Sequence, residues 1–331
     1  MVNYCGAIIQ KQWFGGINVH LPALKIGHLK PKFPIIQGGM AVRISTAPLA
    51  AAVANEGGIG IIAASGLSIQ ELKAEIRRAR ALTKGIIGVN VMYAATAFKE
   101  LVISALQEKI DLVISGAGFS RDIFTWGKEA RIPIVPIVSS VRLAKLSERL
   151  GAKAIVVEGK EAGGHLGTEE KVAEIVPEVK KNVNIPVIAA GGIVTGEDIA
   201  TAIRQGADGV QMGTRFALSE ESNAAPNLKE FYLESPHEFV LIDSPVGLKG
   251  RALKNEFTEK LLSGKINPVQ KCKRCLKFCK GNFCIMTALE NAQQGNLKDG
   301  LVFIGESLAK IKQLMSVKEI FQALLKEIEL S

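Results

Sequence analysis

Eight short apolar runs between residues 33 and 212 constrain the fold of this 331-residue chain more than any other feature. Each run has the length and the β-branched character of a buried strand, and a segment of helical length follows each. Because strands that alternate with helices form parallel sheets, eight such units in succession predict an α/β fold, a (β/α)8 TIM barrel. A doubly wound sheet is the alternative, but it does not require eight evenly spaced units. The runs are Phe33–Gln37, Ile59–Ile62, Ile86–Val91, Asp111–Ser115, Ile132–Val138, Ala154–Val157, Ile185–Ala190 and Asp208–Met212.

The segments on either side of the runs suggest the domain organisation. An amphipathic pattern between Leu308 and Leu330 predicts one or two helices that close the bottom of the barrel or pair with a second subunit, so a homodimer is one expectation. The expected regions are an N-terminal lead-in over 1–30, the barrel core over 31–236, a cap or lid over 237–300, and C-terminal helices packing on the barrel over 301–331.

Composition narrows the class of protein. The chain has no run of 18 apolar residues and no N-terminal signal-peptide pattern, so we expect a cytoplasmic protein with no membrane contact. Its net charge of +9 raises the question of nucleic-acid binding. However, basic residues alternate with acidic ones on helical segments, and aromatic residues are few. We therefore expect a small-molecule partner and no nucleic acid.

The strand ends carry the candidate chemistry, because the active site of a TIM barrel lies at the C-terminal ends of its strands. The sixth run leads into residues 156–167, which hold two carboxylates, several glycines and His165, one of only four histidines. Glycines let the backbone approach a ligand closely and leave room for an imidazole that points inward. The plainer interpretation is a glycine-rich turn with an incidental histidine.

Two further strand ends resemble the usual phosphate site of these barrels. Gly191 and Gly192 follow the seventh run, and Gly213 and Thr214 follow the eighth, where backbone N–H groups and a hydroxyl can hold an anion. The amides of Asn90 and Gln211 can bond the polar edge of a ring. A phosphate together with such a ring suggests flavin mononucleotide (FMN) lying across the barrel mouth.

Five motifs resemble the 2-nitropropane dioxygenase family, which contains nitronate monooxygenases and the FMN-dependent enoyl-ACP reductase II. The resemblance covers about residues 25–255 and rests on Ile36–Met40, Gly88–Val91, Glu158–His165, Ala189–Ile193 and Gln211–Phe216. It implies a TIM barrel with non-covalently bound FMN and places His165 on the family's active-site histidine. The FMN contacts that it implies are Gly39, Met40, Asn90, Glu158, Gly163, Gly192, Gln211, Met212, Gly213 and Thr214.

The motifs are divided between the two reactions of the family. Glu158, where the monooxygenases more often carry Gln, and Glu220–Ala224 resemble the reductases, whereas Ser244–Ala252 and Gly300–Gly305 resemble the monooxygenases. We favour a nitronate monooxygenase, which denitrifies alkyl nitronates or nitroalkanes oxidatively with O2. The alternative is an NAD(P)H-dependent enoyl-thioester reductase. The sequence has no Rossmann-type motif, but this does not count against a reductase, because a barrel reductase can bind the nicotinamide cofactor face to face with the flavin. A non-redox barrel that binds a phosphate ligand is the hypothesis from another class.

In a nitronate monooxygenase, His165 would accept a proton from a neutral nitroalkane or donate a hydrogen bond to the nitro group. In a reductase, it would polarise the thioester carbonyl or orient the substrate. Both reactions leave the electron transfer to the cofactor and the positioning to the protein.

Four cysteines stand close together in the cap, with the spacing C-x2-C-x3-C-x4-C. Four thiolates so close can bind zinc or an iron–sulfur cluster, and five Lys or Arg within residues 271–280 would lower the pKa of the thiols. The alternative is four reduced thiols in a small helical cap. The first three resemble the start of a [4Fe–4S] motif in some flavin-dependent barrel enoate reductases. The candidate ligands are Cys272, Cys275, Cys279 and Cys284.

Overall fold

A computed structural model describes residues 20–40, 42–266 and 272–331. Eight parallel strands follow one another around a closed barrel, and the first pairs with the last through Ile35 opposite Val210. The predicted TIM barrel is therefore confirmed. Its strands are β1 (Ile35–Gln37), β2 (Ile59–Ala63), β3 (Ile86–Met92), β4 (Leu112–Gly116), β5 (Ile134–Val138), β6 (Ile155–Glu158), β8 (Val187–Ala190) and β9 (Gly209–Met212).

Alternate residues of each strand face opposite sides of the barrel wall, because the side chains of a strand have a period of two. Inward-facing aliphatic side chains, such as Ile114 and Val156, fill the barrel interior. Leu24, Ile26 and Leu29 belong to the same cluster. Since Gly27 lies close to Pro133 and Lys153, which precede β5 and β6, this segment plugs the N-terminal end of the barrel. A ligand can therefore enter the barrel only from its C-terminal end.

A ring of helices packs outside the barrel, and α2 shows why they form where they do. Its apolar side chains Leu72, Ile76 and Ala79 are buried on one face, and its N-cap Ser68 makes a reciprocal capping box with Glu71. The ring consists of α1 (Ala47–Asn55), α2 (Ile69–Leu82), α3 (Phe98–Gln107), α4 (Asp122–Ala130), α5 (Val141–Arg149), α6 (Val172–Lys180), α7 (Gly196–Arg204) and α12 (Val317–Leu330).

The last helix corrects two sequence expectations. A full-length helix does not follow the eighth barrel strand directly, since α8 spans only Thr214–Ala217. Helix α12 takes that place, because it packs between α7 and α1 and buries Ile320, Phe321 and Leu324. It therefore completes the outer ring and does not close the barrel bottom. Contact with a second subunit stays a prediction.

A cap covers the C-terminal end of the barrel. Its small antiparallel sheet joins the hairpin β10 (Phe239–Asp243) and β11 (Lys249–Leu253) to β7 (Gly164–Leu166), the strand that follows β6. This sheet holds the loop after β6 against the cap. The cap helices are α9 (Pro226–Glu234), α10 (Glu256–Leu262) and α11 (Ile285–Gln293), and a 3₁₀ helix spans Glu306–Lys310.

Within residues 20–40, 42–266 and 272–331, no helix is both long enough and apolar enough to cross a membrane.

Candidate active site

A cavity of about 270 Å³ opens at the C-terminal end of the barrel, between the strand ends and the cap. Its floor comes from the ends of β1, β3, β6, β8 and β9, and its roof from α9, α11 and the segment before the 3₁₀ helix. The volume is near the lower end of the range for small-molecule sites. The cavity therefore lies where TIM barrels bind their ligands.

Two amides on the cavity wall have buried acceptor atoms without partners. The side chains of Asn90 on β3 and Gln211 on β9 both face the cavity, and Asn90 donates to the carbonyl oxygen of Gly39 at 3.2 Å. The Oδ1 atom of Asn90 and the Oε1 atom of Gln211 accept no hydrogen bond from the described residues. Because a buried acceptor without a partner is costly, these two atoms suit N–H donors of a ligand.

Several glycines keep the cavity open. A Cβ atom at Gly39 would lie 2.3 Å from the Cβ of Asn90, so no larger residue fits there. Gly192 has a φ of +69°, which side chains rarely adopt. At Gly213, by contrast, φ is −99° and an added Cβ would meet only Met40, at 3.9 Å. The space beside Gly213 is therefore open to the cavity, next to the hydroxyl of Thr214.

His165 lies on the cavity wall in β7, held by residues of the cap. Its Nε2 atom is 2.8 Å from the Oγ atom of Ser244, and its ring meets the ring of Phe303 edge to face at 5.2 Å between centroids. Burial lowers the pKa of His165 to about 4. The imidazole is therefore neutral at physiological pH and fixed in one orientation.

Glu158, the last residue of β6, is the second ionisable group on this wall. Its side chain makes no hydrogen bond or ion pair within the described residues, and burial raises its pKa to about 7. Tyr232 of α9 also lines the cavity, and burial raises its pKa as well. None of the described residues that line the cavity is a Lys, an Arg or an Asp. Below pH 7 the cavity is thus nearly uncharged, and Glu158 ionises as the pH rises through 7.

Comparison with known proteins identifies the family. A family model described as nitronate monooxygenase matches residues 23–105 and 94–327. The chain belongs to the nitronate monooxygenase family. This assignment confirms the resemblance carried by the motifs, and it makes the chain an enzyme of the oxidoreductase class.

Proteins with different names are similar to this chain. A probable nitronate monooxygenase of Staphylococcus aureus is 34% identical over 281 residues, covering 70% of this chain and 78% of the relative. The (3aS,4S,5R,7aS)-5-hydroxy-7a-methyl-1-oxo-octahydro-1H-indene-4-carboxyl-CoA dehydrogenase of Mycobacterium tuberculosis is 34% identical over 235 residues, which cover 70% of this chain. The match spans 66% of that relative, just under two thirds of its length.

The solved structure of FabK from Thermotoga maritima is similar to this chain over nearly its whole length. The two are 35% identical with a TM-score of 0.83, and the similarity covers 91% of this chain and 94% of FabK. The cap as well as the barrel is therefore shared with this neighbour.

Most of the predicted ligand contacts of this family member surround the cavity, and one does not. The side chain of Met212 is 1% exposed and packs outside the barrel wall, so Met212 can offer a ligand only its backbone, and its carbonyl oxygen already accepts from Gly38 N–H at 2.9 Å. The residues that line the cavity as predicted are Gly39, Met40, Asn90, Glu158, Gly163, His165, Gly192, Gln211, Gly213 and Thr214.

Sequence reasoning missed the residues that hold His165. Ser244 and Phe303 come from the cap, far along the chain from the loop after β6. Both lie in segments that resemble the monooxygenases, Ser244–Ala252 and Gly300–Gly305, but that resemblance gave neither residue a contact with His165. The apolar side of α11, including Ile285, Met286 and Leu289, also lines the cavity. Its helical spacing of apolar residues could have been recognised, but the face that it covers could not.

The four cysteines do not form the predicted ligand set. Cys272 and Cys279 are exposed, whereas Cys275 and Cys284 are half-buried. The Sγ atom of Cys272 accepts from Arg274 N–H at 3.3 Å, and that of Cys284 from the Thr287 hydroxyl at 3.2 Å. In the part of the chain that the structure describes, no three His, Cys, Asp or Glu side chains are arranged to hold a metal ion.

The basic residues near these cysteines do not have the predicted effect either. Burial, followed by the neighbouring thiols, raises the pKa of Cys275, which was expected to be lowered. Lys271, one of the five basic residues counted in the sequence, lies outside the described residues. A metal or cluster at this window is therefore not supported by the arrangement of the thiols.

The half-buried, unpaired carboxyl of Glu158 predicts how stability depends on pH. Because its pKa is raised from 4.5 to about 7, the folded protein keeps a proton that the unfolded chain releases, and folding becomes less favourable as pH rises between these values. Glu158→Gln should therefore raise the free energy of unfolding of the flavin-free protein by about 2–3 kcal/mol at pH 9 and leave it unchanged at pH 4.

Urea denaturation at the two pH values measures this difference. Glu169→Gln is the matched control, because it makes the same substitution, Glu to Gln, at an exposed position. Equal stability of the Glu158→Gln variant and the native protein at pH 9 would contradict the raised pKa of this carboxyl.

Proposed function

We propose that this family member binds FMN non-covalently in the barrel-mouth cavity and oxidises alkyl nitronates with O2. The observation that carries the proposal is a neutral, oriented imidazole, His165, in a cavity whose amide acceptors lack partners. Its membership of the nitronate monooxygenase family and the similarity to a probable nitronate monooxygenase support the same reaction.

The residues of the cavity fit FMN. The Oδ1 atom of Asn90 and the Oε1 atom of Gln211 would accept from N–H groups at the polar edge of the isoalloxazine ring. Gly192, Gly213 and Thr214 would hold the phosphate, since Gly213 faces open space and the Thr214 hydroxyl lies beside it. When bound, FMN would supply the electron-transfer chemistry that amino-acid side chains lack.

The low pKa of His165 favours one of the two roles left open by the sequence. An imidazole whose pKa is about 4 is a weak proton acceptor, so it would remove a proton from a neutral nitroalkane inefficiently. It can still donate a hydrogen bond through its N–H group. We infer that the substrate arrives as the nitronate anion, already deprotonated, and that His165 holds one of its oxygens.

Ser244 would set the direction of that hydrogen bond. If the Ser244 hydroxyl donates to Nε2, the proton of the neutral ring resides on Nδ1, and Nδ1–H is free to donate to the substrate. The edge-to-face contact with Phe303 keeps the ring plane fixed. We assign Ser244 and Phe303 as positioning residues for His165.

Reduction of an enoyl thioester by NAD(P)H is the second candidate. Among the described residues that line the cavity there is no Lys or Arg to pair with an anion, and a cavity without cationic groups is suited to a neutral acyl chain. A similar protein from Mycobacterium tuberculosis is named as a carboxyl-CoA dehydrogenase, so a CoA-linked substrate occurs among the relatives.

Cofactor binding and turnover in air test the proposal. Purified protein, reconstituted with FMN if necessary, should be yellow, and it should consume O2 and release nitrite from propyl-2-nitronate. The same protein should not oxidise NADPH at a comparable rate in the absence of nitronate. A colourless protein that cannot be reconstituted with FMN would contradict both redox candidates and leave a non-redox phosphate-binding barrel.

A further inference from the structure

Glu158 occupies an inward-facing position at the end of β6, on the same cavity wall as His165. We propose that Glu158 determines substrate specificity: as a neutral carboxylic acid it admits an anionic substrate and hydrogen-bonds to it, and as a carboxylate it excludes that substrate. The proposal rests on the proposed function and names a second group that would contact the nitronate.

The strands beside Glu158 supply no group that could neutralise its charge. β6 pairs with β5 and β8, and Glu158 lies opposite Ala190 in the register. β5 and β8 contain only aliphatic residues and one proline, and Ile137 and Ala190 are the members that line the cavity. The carboxyl therefore faces the ligand space without a competing partner from the barrel wall.

The other ionisable groups near Glu158 do not pair with it. Within the described lining, His165 from β7 and Tyr232 from α9 are the remaining titratable side chains, and both are neutral around pH 7. On the loop that follows β6, the Glu161 carboxylate accepts from Val172 N–H at 3.1 Å. Loss of hydration is accordingly the cause of the raised pKa of Glu158.

The neutral carboxyl and the neutral imidazole can both donate a hydrogen bond to an anion, so both favour its binding. A protonated carboxyl has an O–H donor, which can bond one oxygen of a nitronate while His165 bonds the other. After ionisation, the carboxylate has only acceptors and repels the anion across a poorly hydrated cavity. Glutamine at this position would provide an N–H donor at every pH, so glutamate adds a dependence on pH.

Nitrate is a suitable probe, because it is a planar oxyanion that undergoes no turnover. We would titrate nitrate into the FMN-reconstituted protein between about pH 5.5 and 9 and follow the flavin absorbance. Above pH 7, the Kd for nitrate should rise about tenfold for each pH unit, since the anion binds only the protonated form. In Glu158→Gln, the Kd should be independent of pH. Glu169→Gln, the exposed control, should behave like the native protein.

Two outcomes would overturn the proposal. One is a pH dependence of nitrate binding that is the same in Glu158→Gln and in the native protein, and the other is a native Kd that does not change with pH. Propionamide, a neutral probe, provides a comparison that needs no variant. If Glu158→Gln fails to retain flavin, parallel pH profiles for nitrate and propionamide in the native protein would overturn the proposal.

Nitrite release from propyl-2-nitronate at pH 6 separates this proposal from the proposed function. Nitrite release together with an unchanged pH profile in Glu158→Gln refutes only the role of Glu158. Absence of nitrite release from flavin-loaded protein refutes the proposed function, whatever the profile for nitrate.

Discussion

His165→Ala is expected to lower the turnover of nitronate by about 10²–10⁴-fold while FMN stays bound. The imidazole lies on the cavity wall, is neutral at physiological pH and is held by a hydrogen bond to the Ser244 hydroxyl, 2.8 Å away. Its removal leaves the amide acceptors of Asn90 and Gln211 in place, so the cofactor keeps its partners. Steady-state kinetics together with the flavin-to-protein ratio measure both effects.

Two further variants test this explanation. His28 is exposed in a turn at the opposite end of the barrel, so His28→Ala should retain native turnover. Ser244→Ala should lower turnover by a smaller factor than His165→Ala, because the ring stays in place but loses its orienting bond. Native turnover in flavin-loaded His165→Ala would exclude a catalytic role for this residue.

Gly213→Leu is expected to reduce the affinity for FMN by at least about 100-fold without preventing folding. The backbone at Gly213 has a φ of −99°, which any residue adopts, and an added Cβ would meet only Met40 at 3.9 Å. A leucine would therefore be accepted by the fold and project into the space proposed for the phosphate. Loss of the charge-assisted bonds to a phosphate, at about 1.5–3 kcal/mol each, accounts for an effect of this size.

Fluorescence titration of the flavin-free protein with FMN gives the affinity, and circular dichroism checks the fold. Gly213→Ala is the matched control, since its single methyl group should reduce the affinity much less than leucine does. Native affinity for FMN in a folded Gly213→Leu variant would place the phosphate elsewhere.

The sequence predicted the barrel and the strand-end residues for a common physical reason. Buried parallel strands produce apolar runs, and polar residues that interrupt these runs near their C-terminal ends can face the ligand space. Asn90, Glu158 and Gln211 follow this rule. The alternation of side chains along a strand places the side chain of Met212 on the outer face, next to the inward-facing Gln211, so only the backbone of Met212 can make the predicted contact.

The remaining features depend on contacts between distant parts of the chain. Ser244 lies 79 residues after His165, and the pairing of β11 with β7 brings the two together. In the same way, α12 packs between α7 and α1, although the whole cap separates it from α7 in the sequence. An amphipathic pattern predicts that a helix has a buried face, but it does not predict which surface that face covers.

Anaerobic reduction of the bound flavin tests the central claim most directly. The FMN-loaded protein would be mixed in a stopped-flow cell with propyl-2-nitronate, NADH or NADPH. We predict that the nitronate alone bleaches the flavin absorbance or produces a semiquinone, and that air rapidly restores the oxidised spectrum. Bleaching by a nicotinamide cofactor without any response to nitronate would contradict the account and identify the protein as a reductase.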